Sequence, residues 1–93
     1  MKSKISIVVP VYNSSLTLMS LFKEIYSEFI NKNKDFEVIF VNDSSKDESL
    51  DVLNKIYSEY PDKTTVISLK KNYGQQNAIL CGLRYCVYDL VVT

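Results

Sequence analysis

The residues best suited to chemistry lie in the polar run Asn42-Asp43-Ser44-Ser45-Lys46-Asp47. The apolar run Phe36-Glu37-Val38-Ile39-Phe40-Val41 precedes it, and Leu50, Leu53, Ile56 and Tyr57 follow at helical spacing. A buried strand therefore enters a polar turn, and the turn enters a helix. Ligands of open α/β sheets bind outside the carboxyl ends of the strands, so Asp43 faces a crevice. Tyr12-Asn13 and Asn72-Tyr73-Gly74-Gln75 also follow apolar, β-rich runs. Aromatic rings, amides and a carboxylate on one rim suit a base and ribose better than a bare phosphate. The carboxylate accepts from the N3–H of uracil or the N1–H of guanine, and it repels phosphate. Taken singly, Asn13, Ser14, Ser15 and Asp47 read equally well as turn and cap chemistry.

Hydrophobic spacing defines the elements that must position these groups. Ile5 to Tyr12 is apolar and β-branched at nearly every position, as in a strand covered on both faces. Pro10 lacks an N–H and marks its end. Asn13-Ser14-Ser15 supplies a turn and an N-cap, after which Leu18, Leu21, Phe22, Ile25, Phe29 and Ile30 recur at helical spacing. Asn31 to Asp35 is a polar loop, and Phe36 to Val41 is the second strand. Ser45 with Glu48, or Ser44 with Asp47, has capping-box spacing for a second helix that ends before Pro61. Thr65 to Leu69 is a less apolar third strand, expected nearer an edge. Asn72 and Gln75 are spaced to cap a third helix reaching about Tyr88, with Ala78, Ile79, Gly82, Leu83 and Cys86 on its buried side. Gly82 costs about 1 kcal/mol against alanine in a helix; close contact with the sheet is the expected return. Asp89 to Thr93 opens a fourth strand. The order β-α-β-α-β-α-β predicts an α/β fold, a Rossmann-like open parallel sheet with right-handed crossovers, as one domain over residues 1–93.

Composition narrows the function. A hydrophobic content of 46% with 24% charged residues describes a globular chain rather than a disordered one. Eleven basic residues balance eleven acidic ones, so no net field draws nucleic acid or anionic membrane. Apart from Lys70-Lys71 the basic residues are scattered, and nucleic acid is not an expected partner. Cys81 and Cys86 would point about 140° apart on a helix, too divergent to bridge. With no histidine in the chain, a zinc site is equally poor. Both thiols read as core filler in a reducing compartment. Met1-Lys2-Ser3-Lys4 enters an apolar run cut by Pro10 and Asn13, too short for a signal peptide or a membrane span, so a cytoplasmic chain is expected.

Three nucleotide-binding motifs fail. Pro10-Val11-Tyr12-Asn13-Ser14-Ser15 contains no glycine, against the GxGxxG of dinucleotide-binding domains. Gly74 and Gly82 are the only glycines, which excludes a P-loop. The first strand ends without the acidic residues of a phospho-receiver. Instead, Ile7-Val8-Val9-Pro10-Val11-Tyr12-Asn13, Val41-Asn42-Asp43-Ser44-Ser45-Lys46-Asp47 and Asn72-Tyr73-Gly74-Gln75, in that order and spacing, resemble the N-terminal nucleotide-binding half of family 2 inverting glycosyltransferases with the GT-A fold. The runs Ala78-Ile79-Leu80-Cys81-Gly82-Leu83 and Asp89-Leu90-Val91-Val92-Thr93 are similar to the branch that moves sugars onto undecaprenyl or dolichyl phosphate.

The resemblance implies that Pro10, Tyr12 and Asn13 lie along the base and ribose, and that Asp43 reads the base. It places Asp47 as support for that loop, and Gly74 and Gln75 beside the diphosphate. The donor would be a UDP- or GDP-sugar, and the acceptor a polyprenyl phosphate or a saccharide at the cytoplasmic membrane face. Two positions depart from the family pattern: Ser14 often stands as Glu, and Ser44 often as Gly. Serine at a positive φ costs roughly 1–2 kcal/mol. The family's acidic Asp-x-Asp motif, which holds Mg²⁺ or Mn²⁺ on the donor diphosphate, would follow the fourth strand beyond Thr93. These residues are thus expected to be the nucleotide-sugar-binding part of an enzyme, truncated before that motif, with no catalytic residue and no metal ligand of their own. Asp89 reads as a structural strand-opening residue. The alternative is a non-catalytic nucleotide-binding or assembly module that self-associates through an exposed sheet edge.

Overall fold

The computed structural model describes residues 4–32, 35–86 and 90–92. Its elements run β1 (Lys4–Val11), α1 (Leu18–Asn31), β2 (Asp35–Asn42), α2 (Ser49–Glu59), β3 (Thr64–Ser68), α3 (Gln75–Leu83) and β4 (Leu90–Val92). All strand pairs are parallel, in the order β3-β2-β1-β4. The expected α/β order is therefore the observed one, with β3 at one edge. Successive strands step from β1 to β3, and α3 then carries the chain back to the far side of β1. That reversal is the place where open α/β sheets form a crevice.

Strand alternation divides the core in two. Ile5, Ile7, Val11, Phe36, Val38 and Phe40 pack with Leu18 and Phe22 of α1 and Leu53 and Ile56 of α2. Val8, Ile39 and Val41 point the other way, against Ala78 of α3. Both faces of the sheet are covered, which is why β1 and β2 read as nearly continuous apolar runs, broken at Ser6 and Glu37. The α1–α2 side is rich in aromatics: the Phe22 and Tyr60 rings lie 4.9 Å apart, and Tyr26 and Tyr60 lie 5.0 Å apart.

Several expected boundaries shift. α2 begins at Ser49, and no side-chain cap bond forms at its N-cap, Glu48, so neither proposed capping box exists. Asp47 does the capping instead, its carboxylate accepting the Ser49 N–H. α3 likewise lacks the Asn72–Gln75 box: its N-cap is Gly74, and Asn72 turns back to accept the Gly74 N–H. α3 also stops at Leu83 rather than near Tyr88. The N–H groups of Arg84, Tyr85 and Cys86 donate to carbonyls three residues back, the tightened bonding of a helix end. The expected features at Asn33, Lys34, Val87, Tyr88, Asp89 and Thr93 lie outside the described residues.

The buried stripes are narrower than the apolar content of the helices. Leu50 and Tyr57 remain exposed on α2, Leu21 and Ile30 on α1, and Leu83 on α3. A sheet covers only one stripe of a helix, and on α2 that stripe runs through Ser49, Leu53 and Ile56. Cys81 and Cys86 are free, half-buried thiols beside the α3 core. Burial pushes the Cys86 thiol up from its ordinary value.

Gly82 shows the close approach expected of it. A Cβ there would lie 2.5 Å from Val8 Cγ1 and 3.0 Å from Val41 Cγ2. Overpacking of this kind costs about 1–3 kcal/mol, against about 1 kcal/mol gained in helix propensity. Gly82→Ala is therefore expected to lower stability by about 1 kcal/mol, read as a lower urea midpoint; a raised midpoint would show that β1 and β2 yield at no cost.

Candidate functional site

Three loops leave the carboxyl ends of β1, β2 and β3, and the β1–β2 ladder brings the first two side by side. Val11 pairs with Asn42, and the next N–H, that of Asp43, donates to the Val11 carbonyl at 2.8 Å. Asn42 pairs with Ser68, and the Leu69 N–H donates to the Asn42 carbonyl at 2.9 Å. The three loops therefore start from one level. Between them lies an open cleft of about 340 Å³ lined by Pro10, Val11, Tyr12, Ser14, Asp43, Asn72, Gly74 and Gln75.

Asp43 forms one wall of this cleft and is only 4% exposed. Its Oδ1 accepts the Tyr73 N–H at 2.7 Å, and its Oδ2 accepts the Gly74 N–H at 2.9 Å. A buried carboxylate needs such donors, and ionic hydrogen bonds are the stronger kind. Gly74 turns the chain with φ 90°, a conformation that side-chain-bearing residues rarely adopt. Tyr12 is 45% exposed and Tyr73 53%, leaving aromatic surface beside the cleft.

Five of the seven site residues expected from sequence, Pro10, Tyr12, Asp43, Gly74 and Gln75, line the cleft together. The other two, Asn13 and Asp47, are exposed residues outside this lining that tie the first loop to the second. Asn13 Oδ1 accepts the Lys46 N–H at 2.8 Å, and the Asn13 N–H donates to Ser45 Oγ at 3.0 Å. Asp47 Oδ2 accepts the Ser15 N–H at 3.1 Å, while Oδ1 accepts both the Ser49 N–H and its hydroxyl. Ser49, wholly buried, in turn accepts the Ser14 N–H at 2.8 Å. Val11, Ser14 and Asn72 also line the cleft without having been singled out as binding residues. Val11 carries no polar signal at all; Ser14 reads as a turn residue, and Asn72 as one of the rim amides and a helix cap.

Among the described residues, two other than glycine adopt positive φ, Asn13 at 50° and Ser44 at 57°, the first within these loop contacts and the second beside Ser45 in the same loop. The strain anticipated at Ser44 is thus present. Divalent metal does not suit the donors gathered here, since Asp43 supplies the one carboxylate among the residues that line the cleft. No cluster of three His, Cys, Asp or Glu side chains occurs among the described residues.

An open parallel sheet with such a crevice at its strand ends is a doubly wound α/β arrangement, which the GT-A glycosyltransferases share. The chain belongs to glycosyl transferase family 2, whose family model matches residues 6–93. It is 37% identical over 90 residues to an undecaprenyl-phosphate 4-deoxy-4-formamido-L-arabinose transferase of Enterobacter sp. (strain 638), covering 97% of this chain and 28% of that protein. The corresponding transferase of Edwardsiella ictaluri is 33% identical over 89 residues, with 96% and 27% covered. Among solved structures, a mannosyltransferase from Pyrobaculum calidifontis in complex with GDP-Man and Mn²⁺ superposes with a TM-score of 0.85 at 22% identity, a likeness of fold, over 98% of this chain and 26% of that one. S. aureus TarS 1–349 in complex with UDP gives 0.76 at 28% identity, with the same coverage. The chain thus spans about a quarter of the length of these relatives.

Hydrogen bonds from Ser49, above all its hydroxyl, and from Ser15 lower the Asp47 pKa from 3.8 to about 2. A depressed carboxyl pKa contributes stability that is complete above about pH 4 and is lost as pH falls through about pH 2. Asp47→Asn should therefore be less stable than wild type at pH 7 and lose less on acidification from pH 4 to 2. Denaturant midpoints across that range check this, and parallel curves would overturn it. At Ser44, relief of roughly 1–2 kcal/mol of left-handed strain outweighs the roughly 0.5–1 kcal/mol of added glycine entropy. Ser44→Gly is expected to raise stability by about 0.5–1 kcal/mol in the same assay.

Proposed function

We propose that these residues form the donor-nucleotide part of an inverting glycosyltransferase that uses a UDP- or GDP-sugar and transfers its sugar to a polyprenyl phosphate. The observation that carries this reading is the cleft in which Asp43, Tyr12 and the Gly74–Gln75 turn meet. In it, Asp43 accepts the ring N–H of the base, while Pro10 and Tyr12 lie along base and ribose. Each carboxylate oxygen offers two acceptor sites, so one N–H from the loop leaves room for a donor from the ligand. The diphosphate falls on the Gln75 side of the cleft, where the remaining N–H groups at the N-terminus of α3 favour an anion, the Gly74 N–H being held by Asp43. Asn13 and Asp47 act indirectly, by holding the first two loops together.

The reaction itself is assigned to the complete enzyme. A phosphate oxygen of the acceptor attacks the anomeric carbon in line, the carbon–oxygen bond to the nucleoside diphosphate breaks, and configuration inverts. Mg²⁺ or Mn²⁺ on the departing diphosphate would be held by residues outside this chain. The family relatives named for undecaprenyl phosphate support the lipid acceptor, and a lipid acceptor brings the reaction to a membrane surface, on our reading its cytoplasmic face. Among the described residues, no helix is long and apolar enough to cross a membrane. A second reading, self-association, draws on β3, which pairs with β2 on one side and forms an edge on the other. Light scattering that finds a monomer at all concentrations would remove it.

Calorimetry with UDP and with GDP tests the first reading. Wild type is expected to bind one of them, and Asp43→Ala to bind it at least roughly tenfold more weakly, the scale of one hydrogen bond to a charged group. Equal affinities would overturn the role of Asp43.

A further inference from the structure

We infer that Asp43 is also the latch of the β3–α3 loop, so that nucleotide binding and the placement of that loop form one linked equilibrium. This rests on the nucleotide reading above and adds a positioning role to the residue that reads the base. Asn72, Tyr73, Gly74 and Gln75 are all exposed, so apolar packing does little to hold the turn. A Cβ at Gly74 would meet nothing within 4 Å. What fixes the turn is polar: the Tyr73 and Gly74 N–H groups on the two Asp43 oxygens at 2.7 and 2.9 Å. Asn72 Oδ1 shares the Gly74 N–H at 3.0 Å, and Asn77 Nδ2 donates to the Tyr73 carbonyl at 2.7 Å. The two bonds to the carboxylate are charge-assisted and span 30 and 31 residues of sequence, whereas those from Asn72 and Asn77 are local.

Asp43, Gly74 and Gln75 line the same cleft. A ligand touching all three binds the latched loop better than the released one. Its apparent affinity therefore falls in proportion to any released fraction, and its binding in turn protects the latch.

Amide hydrogen exchange by NMR, with and without UDP or GDP, and calorimetry on wild type, Asp43→Asn and Gly74→Ala test this. In Asp43→Asn one acceptor oxygen becomes an NH₂ group facing a loop N–H. The Tyr73 and Gly74 amides are then expected to exchange roughly tenfold faster without nucleotide, while amides in β1 and β2 keep their protection. Gly74→Ala leaves Asp43 intact and strains the turn at φ 90°, so nucleotide binding is expected to weaken roughly tenfold. In wild type, nucleotide should slow exchange at Tyr73 and Gly74. Unchanged exchange at both amides in Asp43→Asn, or unchanged affinity in Gly74→Ala, overturns the latch while the nucleotide reading stands. Absence of binding by wild type to either nucleotide defeats the functional reading itself, and the linkage with it.

Discussion

A carboxylate buried at the end of β2 must find hydrogen-bond donors, and Asp43 finds them in a turn 30 residues further along the chain. Leaving a charge buried without partners costs several kcal/mol, so Asp43 and the Tyr73–Gly74 turn constrain each other. The Asp43 N–H also extends the β1–β2 ladder to the Val11 carbonyl. One residue thereby ties the ends of β1 and β2 to the loop after β3. The cleft exists because these three segments are held at one level.

The first two loops are joined by different means. Asn13, Ser45, Asp47 and Ser49 side chains accept from backbone N–H groups of the opposite loop, between the segments that follow β1 and β2. Together these bonds hold the loops against the left-handed strain at Asn13 and Ser44. Most of these donors and acceptors sit near the surface, which makes the arrangement easy to perturb without disturbing the core. Beneath it, strands covered on both faces form a rigid base, with Gly82 allowing α3 to lie hard against Val8 and Val41. A firm sheet carrying polar loop tips is how binding residues are commonly displayed.

Strand positions, helix type, parallel order and the edge placement of β3 were all legible in the sequence, because they follow from local hydrophobic period and crossover length. The family membership was legible too, carried by three short motifs in fixed order. Helix starts were not. Spacing alone suggested boxes at Ser44–Asp47, Ser45–Glu48 and Asn72–Gln75. In the fold, Asp47 instead bridges Ser15 and Ser49, and Asn72 closes its own turn. Capping residues have several partners of similar energy, and tertiary neighbours decide among them. Leu50, Tyr57 and Leu83 look like core residues by period, yet the sheet's single contact stripe leaves them exposed.

By itself, then, the sequence determined the alternation of elements, the both-sided burial of β1 and β2, and the chemical types gathered at the strand ends. These depend on neighbours a few residues apart. Tertiary structure alone decided that Asp43 would hold the Tyr73–Gly74 turn, and that Asn13, expected along base and ribose, would instead join the first loop to the second outside the cleft lining. Those outcomes depend on which donors parallel pairing brings within hydrogen-bond reach across some thirty residues of chain, and no local pattern encodes that distance.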